Sequence, residues 1–156
     1  MTYRLPAKLT IDSSVLIKAL VPPRKRKEDD TYRQRMLLHT RALKIFEDVV
    51  QKKISMCIPS VVLIEVGAVV SRITNNENDA QEAVAKVRMH SSQILFDYDL
   101  LEPTISTAIK TKASGFDNII LSCAILTDSA MITDDLKLHE IAKEHGYESY
   151  LLRDLI

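Results

Sequence analysis

The chain has 156 residues, 46% of them hydrophobic and 27% charged, with 21 Lys and Arg balanced by 21 Asp and Glu. That size builds one domain with a real core, and the neutral balance with only 3 Gly and 5 Pro excludes collagen-like, disordered and indiscriminately nucleic-acid-coating proteins. No apolar run approaches the roughly 18 residues of a membrane span, residues 1–6 lack the apolar core of a signal peptide, and Cys57 and Cys123 have neither disulfide nor zinc spacing, so a cytoplasmic protein with buried free thiols is expected.

Short apolar or β-branched runs alternate with longer segments of helical period. Lys8 to Asp12 reads as a first strand, followed by a short helix to Leu20 that Pro22 and Pro23 stop. Residues 22–35 form a charged loop or arm carrying Arg24, Lys25, Arg26, Lys27, Glu28, Asp29 and Asp30. From Thr31 to about Lys52, Leu38, Ala42, Ile45, Phe46 and Val49 recur on one helical face. Ile54 to Ile58 is a second strand. Pro59 and Ser60 then open a helix, Val61 to Thr74, with Ser60 as a good N-cap; its apolar residues run nearly all round, so it is expected to be buried.

Asn75 to Asp79 is a polar break, and Ala80, Ala83, Val84 and Val87 mark a further helix. Ile94 to Tyr98 reads as a third strand, and Pro103 to Lys112 as a helix with Ile105, Ala108 and Ile109 inward. After a Ser114-Gly115 turn, Asp117 starts an apolar helix through Leu126. Ala130 to Thr133 is a fourth strand, Leu136 to His145 a helix closed by Gly146 at its C′ position, and Tyr150 to Leu152 a last strand. This alternation implies right-handed crossovers between parallel strands: an α/β fold, a three-layer α/β/α sandwich with a mostly parallel central sheet, spanning residues 1–156 as a single domain.

Open parallel sheets bind ligands beyond the carboxyl ends of their strands. Asp12 ends the first strand, and Asp134 and Asp135 follow the fourth. Glu65 is the lone charged side chain between Pro59 and Ser71, and burying a lone carboxylate costs several kcal/mol unless it is paired, protonated or bound to a metal. Taken singly, each has a plainer reading. Asp12 and Asp117 suit N-caps, Asp134 suits a solvated surface, and Glu65 suits a helix edge where it reaches water or Arg72. As a set, Asp12, Glu65, Asp117 and Asp135 would repel one another and need divalent cations to stay ionised, and an all-oxygen donor set selects Mg²⁺ or Mn²⁺. His39, His90, His139 and His145 show no ligand spacing, and there is no phosphate-binding glycine loop or nucleophile elbow. A dehalogenase-type phosphatase needs Asp where Ser14 stands, and a receiver domain needs a strand-end Lys where Lys137 lies in a helix.

These parts together resemble the PIN domain family, from Leu9 to about Leu152. Asp12-Ser13-Ser14 follows the first strand, Pro59 opens a helix that carries Glu65, Asp117-Asn118-Ile119-Ile120 opens another, and Thr133 and Asp135 follow the fourth strand. The resemblance implies a Mg²⁺- or Mn²⁺-dependent ribonuclease hydrolysing RNA phosphodiester bonds, many such members being VapC-type toxins paired with a small antitoxin protein. It implies Asp12, Glu65, Asp117 and Asp135 as the catalytic, metal-binding acids, with Ser14 and Thr133 orienting them. Asp134 is an extra acid placed with these supporting groups, and Asp135 is taken as the one facing the site.

A pocket of four acids repels phosphate, so nearby cations must supply attraction. Arg24, Lys25, Arg26, Lys27, Arg33 and Arg35 are the expected RNA contacts, with Arg72 at the rim; the plainer reading of this segment is a solvated loop. Apolar surface on the Thr31–Lys52 and Pro59–Thr74 helices, and the resemblance itself, point to a homodimer. No membrane partner is expected. The competing reading is a catalytically inactive PIN-fold module that binds RNA or protein; its acids would look the same in sequence, and metal affinity separates the two.

Overall fold

The computed structural model describes residues 4–24 and 27–155. Five strands, β1 (Lys8–Ile11), β2 (Ser55–Pro59), β3 (Ser91–Leu95), β4 (Ala130–Thr133) and β5 (Ser149–Leu151), pair in parallel throughout, in the order β3-β2-β1-β4-β5. The central strand explains the pattern: Leu9, Thr10 and Ile11 are all fully enclosed, as a parallel strand covered on both faces requires. The helices among the described residues are α1 (Ser13–Leu20), α2 (Asp30–Val50), α3 (Ser60–Thr74), α4 (Glu77–His90), α5 (Asp97–Thr111), α6 (Gly115–Thr127) and α7 (Leu136–Glu144), followed by a 3-10 turn over Leu152–Asp154. α1 packs on α2 and α3, α3 packs on α4, and the α5–α6 pair lies with α6 over β1, β2 and β4, giving the three-layer α/β/α sandwich.

The chain steps outward from β1 through β2 to β3, then returns through α5 and α6 to β4 on the other side of β1. Strand order therefore reverses between β1 and β4, the place where parallel sheets open a crevice at their carboxyl ends. The register Ile11↔Ile132 is extended by the Asp12 N–H donating to the Ile132 carbonyl at 3.0 Å. Asp12 and the Thr133-Asp134-Asp135 segment thus leave the sheet side by side.

Four local expectations are corrected. The third strand is Ser91–Leu95, not Ile94–Tyr98: α4 runs straight into it, Ser91 Oγ donating to the Val87 carbonyl at 2.7 Å. Phe96 instead takes the N-cap position of α5, its N–H donating to the Asp99 carboxylate at 3.3 Å, and Asp97 and Asp99 favour the helix N-terminus. α5 consequently starts at Asp97, enclosing Pro103, and of the three residues expected inward only Ala108 is partly covered. Ile105 and Ile109 are exposed, while Leu100 and Thr107 are buried. The inner face is built from hydroxyls, with Ser122 Oγ donating to Thr107 Oγ1 at 3.1 Å, so apolar spacing marked the outer side.

Helix α3 is not buried all round. Ile64, Ala68, Arg72 and Ile73 are exposed, with Ile64 at 70%. Its N-cap position is held by Pro59 without a side-chain bond, because Ser60 Oγ donates to Asp97 of α5 at 3.1 Å. The C-terminus of α7 follows the sequence closely: Gly146 adopts φ +78°, a left-handed conformation that costs a side-chain-bearing residue roughly 1 kcal/mol.

Both cysteines are fully buried and free. Loss of solvent pushes the Cys123 thiol up to about 12 and raises that of Cys57. Neither is thiolate at neutral pH, so iodoacetamide is expected to leave both unmodified in the native protein and to label both after denaturation. Labelling of either under native conditions, read by intact-mass spectrometry, would contradict this packing.

Candidate functional site

Asp12, Ser13, Ser14, Glu65, Phe116, Ile120, Asp117, Asp135 and Leu138 line one cavity of about 200 Å³ at the carboxyl edge of the sheet. All four acids singled out from sequence are on its wall. No Lys, Arg or His lines it, and among the described residues none of the four has an ion-pair partner.

Each acid is held differently. Asp12, 8% exposed, occupies the N-cap position of α1 but makes no capping bond with its side chain. Its Oδ2 accepts from Ser14 Oγ at 2.6 Å and from Thr133 Oγ1 at 2.8 Å. Glu65, half-buried on α3, accepts from Ser13 Oγ at 2.5 Å, and Ser13 Oγ lies 3.5 Å from Asp12 Oδ1. A hydroxyl has one proton, so the short contact to Glu65 takes it. Asp117 is the third residue of α6. Ser114 is the actual cap, its Oγ accepting the Asp117 N–H at 3.3 Å, and the Asp117 carboxylate has no hydrogen bond among the described residues. Asp135 does cap α7, its Oδ1 accepting from the Lys137 and Leu138 N–H groups at 2.9 and 3.2 Å.

Asp134 turns the other way. Its carboxylate is 6% exposed and pairs with Lys18 at 3.1 Å and Arg153 at 3.2 Å, outside the cavity. Only its backbone serves the acid cluster, through an N–H donated to Ser14 Oγ at 3.0 Å. Thr133 Oγ1 likewise accepts the Asp135 N–H at 3.0 Å while holding Asp12.

The basic residues form a separate feature. Arg24, Lys27 and Arg35 line a groove of about 740 Å³ between α1, the connection to α2, and α2, together with Lys18, His39 and apolar Ile17 and Tyr32. Arg33 is outside it, paired with Asp30 at 3.4 Å on the surface, and Arg72 is exposed on α3. Lys25 and Arg26 lie outside the described residues.

The donor set of the cavity fits a hard divalent cation in kind: carboxylate and hydroxyl oxygens with uncompensated negative charge. Its arrangement is looser. Among the described residues, no three His, Cys, Asp or Glu side chains are gathered tightly enough to enclose an ion. Ser13 stands between Asp12 and Glu65, and one oxygen of Asp135 is engaged by its helix.

A family model described as the PIN domain matches residues 9–144. Two solved structures are similar in fold. PAE2754 from Pyrobaculum aerophilum is 15% identical, with a TM-score of 0.58 over 92% of this chain and 83% of that one. VapBC2 from Rickettsia felis, solved bound to a DNA fragment from their promoter, is 14% identical, with a TM-score of 0.60 over 92% of this chain and 98% of the matched one. No curated protein matches the chain. No helix among the described residues is long and apolar enough to cross a membrane.

Sequence reasoning passed over Ser13, Phe116 and Asn118. Asn118 carried a usable signal, being the one amide in the apolar run of α6. It is fully buried, with its Oδ1 accepting from Thr111 Oγ1 at 2.6 Å and its Nδ2 donating to the carbonyls of Ala113 and Ser114 at 3.0 and 2.8 Å. It thereby fixes the α5–α6 connection that carries Phe116 and Asp117. Asn118→Ala, which strands these groups, is expected to cost about 2–4 kcal/mol in urea unfolding. Asn118→Asp, nearly the same shape, should cost at least as much because it sets a carboxylate against two carbonyls; a neutral result for either would show that the connection is held by other means.

Proposed function

Since the chain belongs to the PIN domain family, we propose that it is a Mg²⁺- or Mn²⁺-dependent endoribonuclease, the toxin of a toxin–antitoxin pair. The observation that carries this reading is the gathering of Asp12, Glu65, Asp117 and Asp135 on one cavity wall with no cationic side chain to neutralise them. Four carboxylates cannot clamp a phosphate by themselves, because like charges repel. Asp12 and Asp117 would hold the cation, with Glu65 and Asp135 completing its surroundings directly or through water. A divalent cation there supplies positive charge to the scissile phosphodiester and acidifies the attacking water.

The remaining work belongs to the chain's own residues. Ser14 and Thr133 hold Asp12 in one orientation. Ser13 keeps Glu65 turned toward Asp12. Asp134 is spent on Lys18 and Arg153, leaving Asp135 as the acid of that segment on the cavity wall. Attraction for RNA comes from the groove of Arg24, Lys27 and Arg35. The exposed apolar faces of α5 (Tyr98, Leu101, Ile105, Ile109) and α3 (Ile64) support a homodimer. The resemblance in fold to VapBC2 supports an antitoxin partner.

A second reading, a PIN-fold binding module without turnover, draws on the looseness of the acid cluster. Calorimetric titration with Mn²⁺ separates them. Saturable binding to the wild type that disappears in the Asp12→Asn, Asp117→Asn double variant is the outcome expected of the nuclease, and the absence of binding favours the module. Asp12→Asn alone is expected to abolish hydrolysis while leaving the metal-free fold intact or slightly more stable, because it removes one of four repelling charges. Wild-type cleavage by that variant would mean the site is elsewhere.

For the groove, replacing Arg24, Lys27 and Arg35 with Gln is expected to weaken RNA binding and to flatten its salt dependence by roughly 0.7 in log–log slope for each phosphate no longer neutralised. An unchanged slope would return these residues to a solvated surface.

A further inference from the structure

Phe116 stands on the wall of the acid cavity, next to Asp117, in the first turn of α6. It is 57% exposed, and no aromatic ring among the described residues packs on it. A phenyl ring left largely in water contributes little to the core, although its neighbours in the helix, Asn118 and Ile120, are buried. Ile120 and Leu138 are the other apolar residues on the cavity wall, beside the carboxylates.

The electrostatics of the cavity say what such a ring is for. The acids by themselves repel a polyanion, a cation held there would draw in only the phosphate beside it, and the cationic groove is a separate feature. A contact that holds the strand at the cavity must be one that repulsion does not cancel. Base stacking on an aromatic ring is such a contact: it is apolar, indifferent to which base is presented, and available only to a base not covered by a neighbour. We infer that Phe116 stacks on the base of the nucleotide adjoining the scissile phosphate, seating that phosphate beside the cation that Asp12 and Asp117 would hold. This inference rests on the nuclease reading above and adds to it a residue that positions the strand.

The test is binding of a short, fluorescently labelled single-stranded RNA, with calcium in place of magnesium, alongside the same strand carrying abasic sites. Phe116→Ala and Phe116→Leu are expected to weaken binding of the intact strand about 5- to 150-fold, the range of one stacked base. The slope of log affinity against log salt should not change, because the ring contacts no phosphate. The abasic strand should bind wild type and Phe116→Ala alike. Phe116→Trp should restore affinity, and its fluorescence, from the single tryptophan of a chain that otherwise has none, should be quenched by the intact strand.

Wild-type affinity in Phe116→Leu, or an equal loss for intact and abasic strands, would overturn the assignment while leaving the nuclease reading standing. Failure of the wild type itself to bind either strand would overturn the nuclease reading, and this inference with it.

Discussion

Mutual repulsion among Asp12, Glu65, Asp117 and Asp135 is the term that the surrounding structure has to offset. Like charges about 4 Å apart cost on the order of 4 kcal/mol at an effective dielectric of 20, and the looser spacing of these four lowers that figure without removing it. No Lys or Arg shares the cavity, so the offset comes from weaker sources. Hydroxyls donate to Asp12 and Glu65, and backbone N–H groups donate to Asp135. Asp12, Asp117 and Asp135 each stand at the start of a helix, where the peptide dipoles favour negative charge by roughly 0.3–1 kcal/mol apiece. These terms reduce the repulsion without supplying a countercharge, and net negative charge remains on the cavity wall.

Sheet topology makes this arrangement possible. In a parallel sheet the helix that directly follows a strand begins at the carboxyl edge, so the N-termini of α1, α3, α5 and α7 gather there without further design. The reversal of strand order between β1 and β4 opens the crevice, and the acid of each flanking strand end falls into it. The same geometry explains why Asp134 is excluded. Successive residues leaving β4 point in opposite directions, and the one turned from the crevice meets Lys18 of α1 and Arg153 of the final turn. A buried carboxylate with two cationic partners is a structural tie between the first helix and the C-terminal segment, whereas its neighbour remains on the cavity wall.

The sandwich was legible because its signal is redundant. Enclosed strands such as Leu9–Ile11 read as short apolar runs, and long helices such as α2 carry their core residues at helical spacing. The acids were legible only as a set, since singly Asp12 and Asp117 suit helix caps and Glu65 a helix edge, whereas four such acids at strand ends, a helix start and within an apolar helix share one chemistry. Legibility failed where packing is polar. α5 buries Thr107 and bonds Thr111 to Asn118, so its apolar positions Ile105 and Ile109 face outward and periodicity named the wrong side. Likewise the start of α5 depends on Asp99 reaching back to the Phe96 N–H, a bond that competes with strand propensity only once the edge of the sheet is set. Ser13 was passed over because a serine at a helix start looks like any other until the distance to Glu65 is known.

Proton counting separates the acids by how firmly they are held. A backbone N–H can only donate, so Ser14 Oγ must accept from Asp134 and Thr133 Oγ1 from Asp135. Each hydroxyl then spends its single proton on Asp12 Oδ2. Both bonds fix the plane of Asp12 against the β4 segment, whose own backbone supplies the constraint. Asp117 has no comparable tether among the described residues: its helix is anchored through Asn118 one residue away, but its carboxylate accepts no hydrogen bond there. The cluster thus sets a doubly held acid at the sheet beside one whose helix alone is anchored. Should the site take a cation as proposed, Asp12 would be the acid already held in place by its neighbours, and Asp117 the one whose side chain no hydrogen bond among the described residues holds.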